Sequence, residues 1–271
     1  MKVILITGAS SGMGKVTALE LVKKGYIVYA AARRTDRMSD IQENGGHVME
    51  MDVTKESDIT RVVDTIIQQQ GKIDILWNNA GYGLYGAVED VPLEEARKQF
   101  EVNLFGLASL TQKVLPHMRK AGSGTIINTS SMGGKMYMPL GAWYHATKHA
   151  LEGWSDSLRL DVKPFGIHVV ILEPGAIATE WGGIMMDNML KYSGKGAYSE
   201  IAHKVARTNK ALNEKGDVSD PSVISDTIIK IIEAKRPKTR YLVGKWAKPM
   251  VWMRLNLGDN MFDKMVMSQF K

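Results

Sequence analysis

Two side chains that could share a proton stand four residues apart in a helical stretch of the chain. Tyr144 and Lys148 lie in the segment Tyr-His-Ala-Thr-Lys, and this spacing places both on one face of a helix, one turn apart. A free tyrosine, with a pKa of about 10, is a poor acid or base at neutral pH. Because a neighbouring ammonium favours the phenolate, we expect Lys148 to lower the Tyr144 pKa. The pair alone is weak evidence, since this spacing occurs by chance in many helices.

Other polar residues stand where predicted strands end. Ser131 lies thirteen residues before Tyr144, just after an apolar run, and Asn78-Asn79-Ala80-Gly81 and Pro174-Gly175 follow two other runs. The carboxyl ends of parallel strands face the ligand crevice of an open sheet. Asn103 interrupts a helical pattern that it disfavours, so it needs another reason to be there.

A glycine-rich turn follows the first apolar run. After Thr7 the chain reads Gly8-Ala9-Ser10-Ser11-Gly12-Met13-Gly14 and then continues as a helix. Glycine is needed where backbone must approach a pyrophosphate closely, and a helix start offers free N–H groups to phosphate. The turn predicts a dinucleotide site, although a tight turn without a ligand is the simpler alternative.

The end of the second apolar run indicates which dinucleotide. It reads Ala30-Ala31-Ala32-Arg33-Arg34, with no carboxylate to repel a 2′-phosphate and two guanidiniums to bind it. This favours NADP(H) over NAD(H). Arg33 and Arg34 could instead be solvated surface charges, and the nearby Asp36 keeps NAD(H) as an alternative.

The elements that must position these residues alternate along the chain. Apolar runs at 2–7, 26–31, 47–51, 73–77, 124–129, 167–172 and 241–243 predict strands, and periodic stretches at 56–70, 94–120, 143–163 and 221–234 predict helices. Strands alternating with helices predict an α/β fold: a doubly wound, Rossmann-type sheet of seven parallel strands with helices on both faces. We find no convincing linker, so we expect a single domain over 1–271.

Composition excludes several classes of protein. The chain lacks cysteine, which rules out disulfides and thiolate chemistry and is typical of a cytoplasmic protein. The net charge of +6 is spread without a long basic run, so we expect no nucleic-acid partner. The six histidines form no zinc-type pattern, and we expect no metal.

Two segments lie outside the alternating pattern. The stretch 181–216 is long and rich in methionine, which suggests a helical lid over the substrate. The extension 246–271 also carries methionine and tryptophan. Its apolar face could lie on lipid, but we expect membrane association to be absent and favour packing over the pocket or across a subunit interface.

Taken together, these motifs resemble those of the short-chain dehydrogenase/reductase family. The resemblance covers about residues 1–180, through TGASSGMG (7–14), Asp52-Val53, NNAG (78–81), Asn103, Ser131, YHATK (144–148) and PGAIAT (174–179). The segment 131–139 and the lid and tail lengths are similar to members acting on steroids, retinoids or other lipophilic carbonyls.

The resemblance implies a role for each matching residue. Tyr144 would be the general acid or base, Lys148 would tune it and bind the nicotinamide ribose, Ser131 would polarise the carbonyl and Asn103 would position a water. The family's serine-to-tyrosine interval selects Ser131 over Ser130. The implied cofactor-binding residues, besides Tyr144 and Lys148, are Thr7, Gly8, Ser10, Ser11, Gly12, Met13, Gly14, Arg33, Arg34, Asp52, Val53, Asn79, Ala80, Gly81, Pro174, Gly175, Ile177 and Thr179.

The sequence thus predicts an NADP(H)-dependent oxidoreductase that moves a hydride between nicotinamide and a carbonyl or secondary alcohol. A sensor that binds NADP(H) without turnover and an NAD(H)-preferring dehydrogenase are the alternatives. The substrate is expected to be a lipophilic small molecule. The candidates to line its pocket are Tyr82, Tyr85, Trp143, Trp181 and Met185, and packing of these residues in the core elsewhere is the equal alternative. The resemblance also implies a homodimer or homotetramer.

Overall fold

Seven strands form one parallel sheet in the computed structural model, which describes residues 1–270. The strands are β1 (Val3–Thr7), β2 (Ile27–Ala32), β3 (His47–Glu50), β4 (Ile75–Asn78), β5 (Gly124–Thr129), β6 (Ile167–Pro174) and β7 (Arg240–Val243). Their order is β3-β2-β1-β4-β5-β6-β7, and every pair is parallel. The predicted doubly wound sheet is confirmed.

Eleven α-helices are described in the same range. They are α1 (Gly12–Lys23), α2 (Ser39–Glu43), α3 (Glu56–Gln70), α4 (Leu93–Phe100), α5 (Leu107–Ala121), α6 (Ala142–Val162), α7 (Glu180–Ser193), α8 (Ser199–Glu214), α9 (Ser222–Glu233), α10 (Ala247–Asn256) and α11 (Asp259–Ser268). None of the described helices is long and apolar enough to cross a membrane.

The alternation of side chains along β1 divides the core into two layers. Val3 and Leu5 face the cluster that also contains apolar residues of α3, α5 and α6. Ile4 and Ile6 face the opposite cluster, where residues of α1 and α9 pack. All four are fully buried, as expected for a parallel strand covered by helices on both faces.

The order of the strands reverses at β1. The chain moves outward from β1 through β2 to β3, and then returns to place β4 on the other side of β1. The loops after β1 and β4 therefore leave the sheet in opposite directions and open a crevice between them. The glycine-rich turn and the NNAG segment flank this crevice.

The structure differs from the predicted elements at three places. The expected helix over 94–120 is interrupted by a π-helix, Glu101–Gly106, which contains Asn103. The five-residue α2 was not predicted, because it is too short to show a helical period. The tail, for which no helix bounds were predicted, forms two helices, because Gly258, with a φ of 72°, separates α10 from α11.

The π-helix lies against the loop that follows β3. A Cβ added at Gly106 would collide with the carbonyl oxygen of Val53, so only glycine permits this approach. Gly153, in the exposed middle of α6, has no atom within 4 Å of the corresponding position. The two glycines therefore have different structural requirements.

We expect Gly106→Ala to reduce the free energy of unfolding by about 1–3 kcal/mol, because the π-helix must move away from Val53. Gly153→Ala, the matched control, should raise it by about 0.5–1 kcal/mol through the better helix propensity of alanine. Urea denaturation of both variants measures the difference. Equal effects would show that Gly106 is not a close-contact position.

Candidate active site

The junction between β1 and β4 is held by hydrogen bonds at the crevice. The Thr7 hydroxyl accepts from the backbone N–H of Asn79 at 3.0 Å and of Ala80 at 2.9 Å. The Asn79 side-chain amide in turn donates to the carbonyl oxygens of Thr7 at 3.1 Å and Gly8 at 3.3 Å. The glycine turn is therefore fixed by β4 as well as by its own strand.

Two glycines make this close packing possible. Gly8 has a φ of 66°, and a Cβ there would lie 2.8 Å from the Ala80 Cα. A Cβ at Gly14 would lie 2.6 Å from the Asn79 amide nitrogen. Both distances are too short for a side chain, so the glycine spacing in the sequence reflects packing of the turn as well as room for a ligand.

A cleft of about 520 Å³ opens beside the turn. Its lining joins the start of α1 to the start of α7 and consists of Ser10, Ser11, Gly12, Lys15, Val16, Arg37, Ala178, Thr179, Glu180 and Pro221. The free N–H groups at the N-terminus of α1 and the basic side chains of Lys15 and Arg37 suit a bound diphosphate. Lys15 and Arg37 were not among the predicted cofactor residues. Arg37 is the third arginine soon after β2, and this clustering could have pointed to it.

The remaining predicted cofactor residues lie along the same edge. Arg33 and Arg34 are exposed after β2, and Arg34 approaches the Ser11 hydroxyl at 3.4 Å. Asp52 binds the backbone and hydroxyl of Thr54, while Val53 is buried beside the π-helix. Asp36 lies in the short 3₁₀ turn beyond Arg34.

The segment after β6 forms the opposite wall of the cleft. Pro174 ends β6, and Gly175 donates to Val243 at 2.7 Å where a side chain would strike the Lys245 carbonyl. Ile177 is half-buried against the core layer that contains residues of α1. Thr179 caps α7, and its methyl group would lie 3.2 Å from a Cβ at Gly12.

The Tyr144 phenol is buried at the carboxyl edge of β5. Burial raises the pKa of Tyr144 to about 12, and the nearby Ser131 side chain opposes this rise. The net shift is opposite in direction to the lowering that Lys148 was expected to produce. Lys148 Nζ lies 5.9 Å from the tyrosine ring centre and donates to the Thr129 carbonyl at 2.8 Å. Desolvation therefore outweighs the ammonium in the protein alone.

Lys148 is itself destabilised as a cation. Burial lowers the pKa of Lys148 to about 8, and the carboxylate of Glu152 opposes this shift. Glu152 is buried one turn further along α6, where it pairs with Lys135 at 2.8 Å and Arg240 at 3.1 Å. The sequence reasoning missed this buried network, because its partners come from distant parts of the chain.

Asn103 links the π-helix to the loop after β4 and to α6. Its carbonyl oxygen accepts from Tyr82 N–H at 3.1 Å, and its amide donates to the Tyr82 carbonyl at 3.0 Å and to Thr147 Oγ1 at 3.2 Å. The side chain is almost completely buried. The polar residue that the helical pattern disfavoured is thus satisfied by tertiary contacts.

The loop after β5 carries Ser131 and is bound to α6 through a histidine. Ser131 Oγ accepts from Gly133 N–H at 3.0 Å. His145, next to Tyr144 on α6, contacts the Gly133 carbonyl through Nδ1 at 2.9 Å and Met138 N–H through Nε2 at 3.0 Å. The buried Ser130 hydroxyl has no hydrogen-bond partner among the described residues and lies near Gly134 and Glu152.

An apolar cluster covers Tyr144. The rings of Tyr85 and Trp181 lie 5.7 Å and 5.4 Å from the Tyr144 ring. Nine of the chain's 17 methionines belong to the cluster, at positions 132, 136, 138, 185, 186, 189, 250, 253 and 265. It also includes Phe262, Val266 and Phe270 of the tail. We call this cluster the cap of the site, and the tail is part of it.

Two predicted pocket residues, Tyr82 and Trp143, are not members of this cluster. Tyr82 lies in the loop after β4, where its backbone bonds Asn103, and burial raises the pKa of its phenol to about 12. Trp143 lines a shallow outer groove together with Leu93, Ala96, Arg97, Phe100, Glu101 and Phe105. Trp143 adjoins Tyr144 in sequence, but neighbouring residues of a helix point in different directions.

The chain matches the family model for short chain dehydrogenase over residues 2–188. It is 39% identical over 268 residues to a 3-ketodihydrosphingosine reductase of Bacteroides thetaiotaomicron, covering 96% of this chain and 94% of the relative. It is 32% identical to an NADPH-dependent 3-dehydrocapnine reductase of Ornithobacterium rhinotracheale, covering 100% and 98%.

The fold is also similar to a solved structure. A short-chain dehydrogenase from Streptomyces avermitilis superposes with a TM-score of 0.81 at 34% identity, covering 94% of this chain and 93% of that chain. The similarity therefore extends past residue 188, where the family model ends, into α8 and the tail.

The buried state of His145 predicts a pH dependence of stability. Burial lowers the pKa of His145 to about 4 from its usual 6.5. Between these values the unfolded chain takes up a proton and the folded chain does not, so stability falls as the pH falls. We expect the wild type to lose up to about 3 kcal/mol relative to His145→Gln between pH 7 and pH 4. Urea denaturation at several pH values measures this difference; parallel curves for the two proteins would contradict it.

Proposed function

The chain belongs to the short-chain dehydrogenase/reductase family of oxidoreductases, and we propose that it uses NADP(H) to interconvert a ketone and a secondary alcohol on a long-chain lipid. The proposal rests on one observation above all. At the carboxyl edge of β5 the Ser131 side chain is close enough to Tyr144 to affect its pKa, beneath an apolar cap and beside a cleft that suits a diphosphate.

The proposed chemistry assigns distinct tasks to the polar residues. NADP(H), when bound, supplies or accepts the hydride. Ser131 and Tyr144 donate hydrogen bonds to the substrate oxygen, and Tyr144 delivers the proton during reduction or removes it during oxidation. Because Tyr144 is buried and its pKa is about 12, its neutral form is ready to act as an acid. Lys148 would bind the nicotinamide ribose and favour the Tyr144 phenolate once Tyr144 has given up its proton. Asn103 would hold the water through which Tyr144 regains a proton.

The charge around β2 supports NADP(H) as the cofactor. Arg33 and Arg34 stand exposed at its carboxyl end, and Arg37 extends the same basic surface into the cleft. A 2′-phosphate would meet fork-shaped donors there. The dependence on NADPH in the name of the 32% identical relative points in the same direction.

The cap above Tyr144 supports a substrate with an alkyl chain. Its methionines are flexible and apolar, so they can rearrange around a chain without leaving polar groups unpaired. The 39% and 32% identical relatives are named as reductases of 3-ketodihydrosphingosine and 3-dehydrocapnine. We therefore propose a long-chain 2-amino-3-ketone of the sphingoid type as the substrate.

We further propose that a second copy of the chain packs against the outer groove, giving a homodimer or homotetramer. Phe105 and Leu93, which line this groove, are 55% and 48% exposed. Burying such large apolar side chains is the usual source of stability at an interface between copies. The mass of the protein in solution tests this proposal.

Tyr144→Phe should reduce turnover by at least about 100-fold, because the proton donor is lost while the ring remains. The measurement is NADPH oxidation, followed by absorbance, with 3-ketodihydrosphingosine and a panel of other ketones. NADPH affinity, measured by fluorescence titration, should stay within about threefold, since no charge or large volume changes. Near-normal turnover in the variant would exclude Tyr144 as the acid. A wild type that binds NADPH without consuming it on any ketone would favour the sensor hypothesis.

Arg33→Ala should weaken NADPH binding by about 10-fold or more while changing NADH binding little, because only NADPH carries the 2′-phosphate. Fluorescence titration with both cofactors measures this ratio. Arg236→Ala is the control, since it removes the same charge from the segment before β7, at the opposite edge of the sheet. An equal loss of affinity for both cofactors would remove Arg33 from the proposed phosphate site.

A further inference from the structure

His145 joins two parts of the site, α6 and the loop 131–138, which are also linked by the ion pair between Lys135 and Glu152. It lies on α6 next to Tyr144, and its ring reaches into the loop 131–138 that carries Ser131. His145 is 6% exposed, and the loop supplies polar partners for both nitrogens of its ring. A buried histidine bonded at both ends constrains what it touches.

Only one protonation state satisfies both partners. The Gly133 carbonyl can only accept, so Nδ1 must carry the proton. Met138 N–H can only donate, so Nε2 must present its lone pair. The Tyr85 hydroxyl stands at 3.3 Å from the same nitrogen as a weaker second donor. The neutral Nδ1–H tautomer fits all three groups, whereas an imidazolium would turn a second N–H toward Met138.

Two glycines make space for the ring. A Cβ at Gly133 would lie 2.9 Å from Nδ1, and one at Gly141 would lie 2.7 Å from Nε2 and 2.8 Å from Tyr85 Cε1. Gly141 has a φ of −102°, which other residues also adopt. Glycine at position 141 therefore serves the imidazole and not a special backbone conformation.

The bond at Nδ1 leads directly to the serine. Gly133 accepts from His145 through its carbonyl and donates through its own N–H to Ser131 Oγ at 3.0 Å. The bond at Nε2 holds the far end of the loop, where Met136, Tyr137 and Met138 join the apolar cap. One ring thus fixes the serine at one end and the wall of the pocket at the other.

We propose that His145 is a positioning residue whose neutral imidazole holds the loop 131–138 against α6, setting the Ser131 hydroxyl beside Tyr144 and shaping the pocket wall. The inference rests on the proposed function, because Ser131 and Tyr144 must both reach the substrate oxygen. His145 touches neither substrate nor cofactor in this scheme. A small displacement of a reacting group can cost about 100-fold in rate, so the loss of this contact should be measurable.

Two substitutions separate the two ends of the contact. His145→Asn places an amide N–H where Nδ1 stands and keeps the bond to Gly133, but it cannot reach Met138. His145→Gln places an oxygen where Nε2 stands and keeps the bond to Met138, but it loses the donor to Gly133. We expect His145→Asn to keep kcat within about threefold and raise KM for the long-chain ketone about 10-fold, and His145→Gln to lower kcat about 10- to 100-fold.

A double substitution tests whether His145 acts through Ser131. In a Ser131→Ala background, His145→Gln should lower kcat by less than about threefold, because the group that it positions is already absent. NADPH affinity should change little in all these variants. His149→Gln is the matched control: it lies one turn further along α6, is exposed, and bonds only the His145 carbonyl at 2.9 Å. Its kcat and KM should equal those of the wild type.

Hydrogen exchange provides a readout that needs no turnover. The backbone amides of 131–138 should exchange faster in His145→Gln, and in Gly141→Ala, where the ring is displaced without loss of a polar group. Unchanged exchange in both variants, equal kcat values for the Asn and Gln variants, or additive losses with Ser131→Ala would overturn the proposal. Failure of the wild type to reduce any ketone would instead count against the proposed function.

Discussion

The geometry of the site depends on how closely two strand ends can approach each other. β1 and β4 are neighbours in the sheet, and their outgoing loops are joined by the Thr7 hydroxyl and the Asn79 amide. That contact is possible only because Gly8 and Gly14 present no side chain to Asn79 and Ala80, which follow β4. The cleft beside α1, the path of the NNAG segment and the hydrogen bonds between Asn103 and Tyr82, the residue after that segment, all follow from this junction.

Burial, more than pairing of charges, sets the state of the titratable groups. It raises the pKa of Tyr144 to about 12, and it lowers the pKa of Lys148 to about 8 and of His145 to about 4. In each case the low-polarity surroundings disfavour the charged form. Without a bound cofactor, Tyr144 is therefore a neutral phenol and His145 a neutral imidazole at neutral pH. The Glu152 carboxylate favours the charged ammonium of Lys148.

The cap of the site is assembled from segments that are remote in sequence. α7 and α8 follow β6, the loop 131–138 follows β5, and α10 and α11 end the chain, yet all contribute to one methionine-rich cluster. Tyr137 connects the loop to the tail through a 2.8 Å hydrogen bond to Asp263 and an edge contact with Phe262. A cap of this composition is adaptable, and His145 bonds one of its segments, the loop 131–138, to α6.

Local patterns in the sequence were sufficient for the sheet and for the residues along its carboxyl edge. Strand and helix periods, the glycine spacing and the Tyr144–Lys148 interval depend on neighbours within one turn or one strand, so they can be read without a structure. The sequence could not show that Trp143 faces outward, that Asn103 lies in a π-helix, or that burial outweighs Lys148 at Tyr144. It also could not join His145 to Gly133 and Met138. These features depend on contacts between distant segments and on the exclusion of water, which only the folded chain creates.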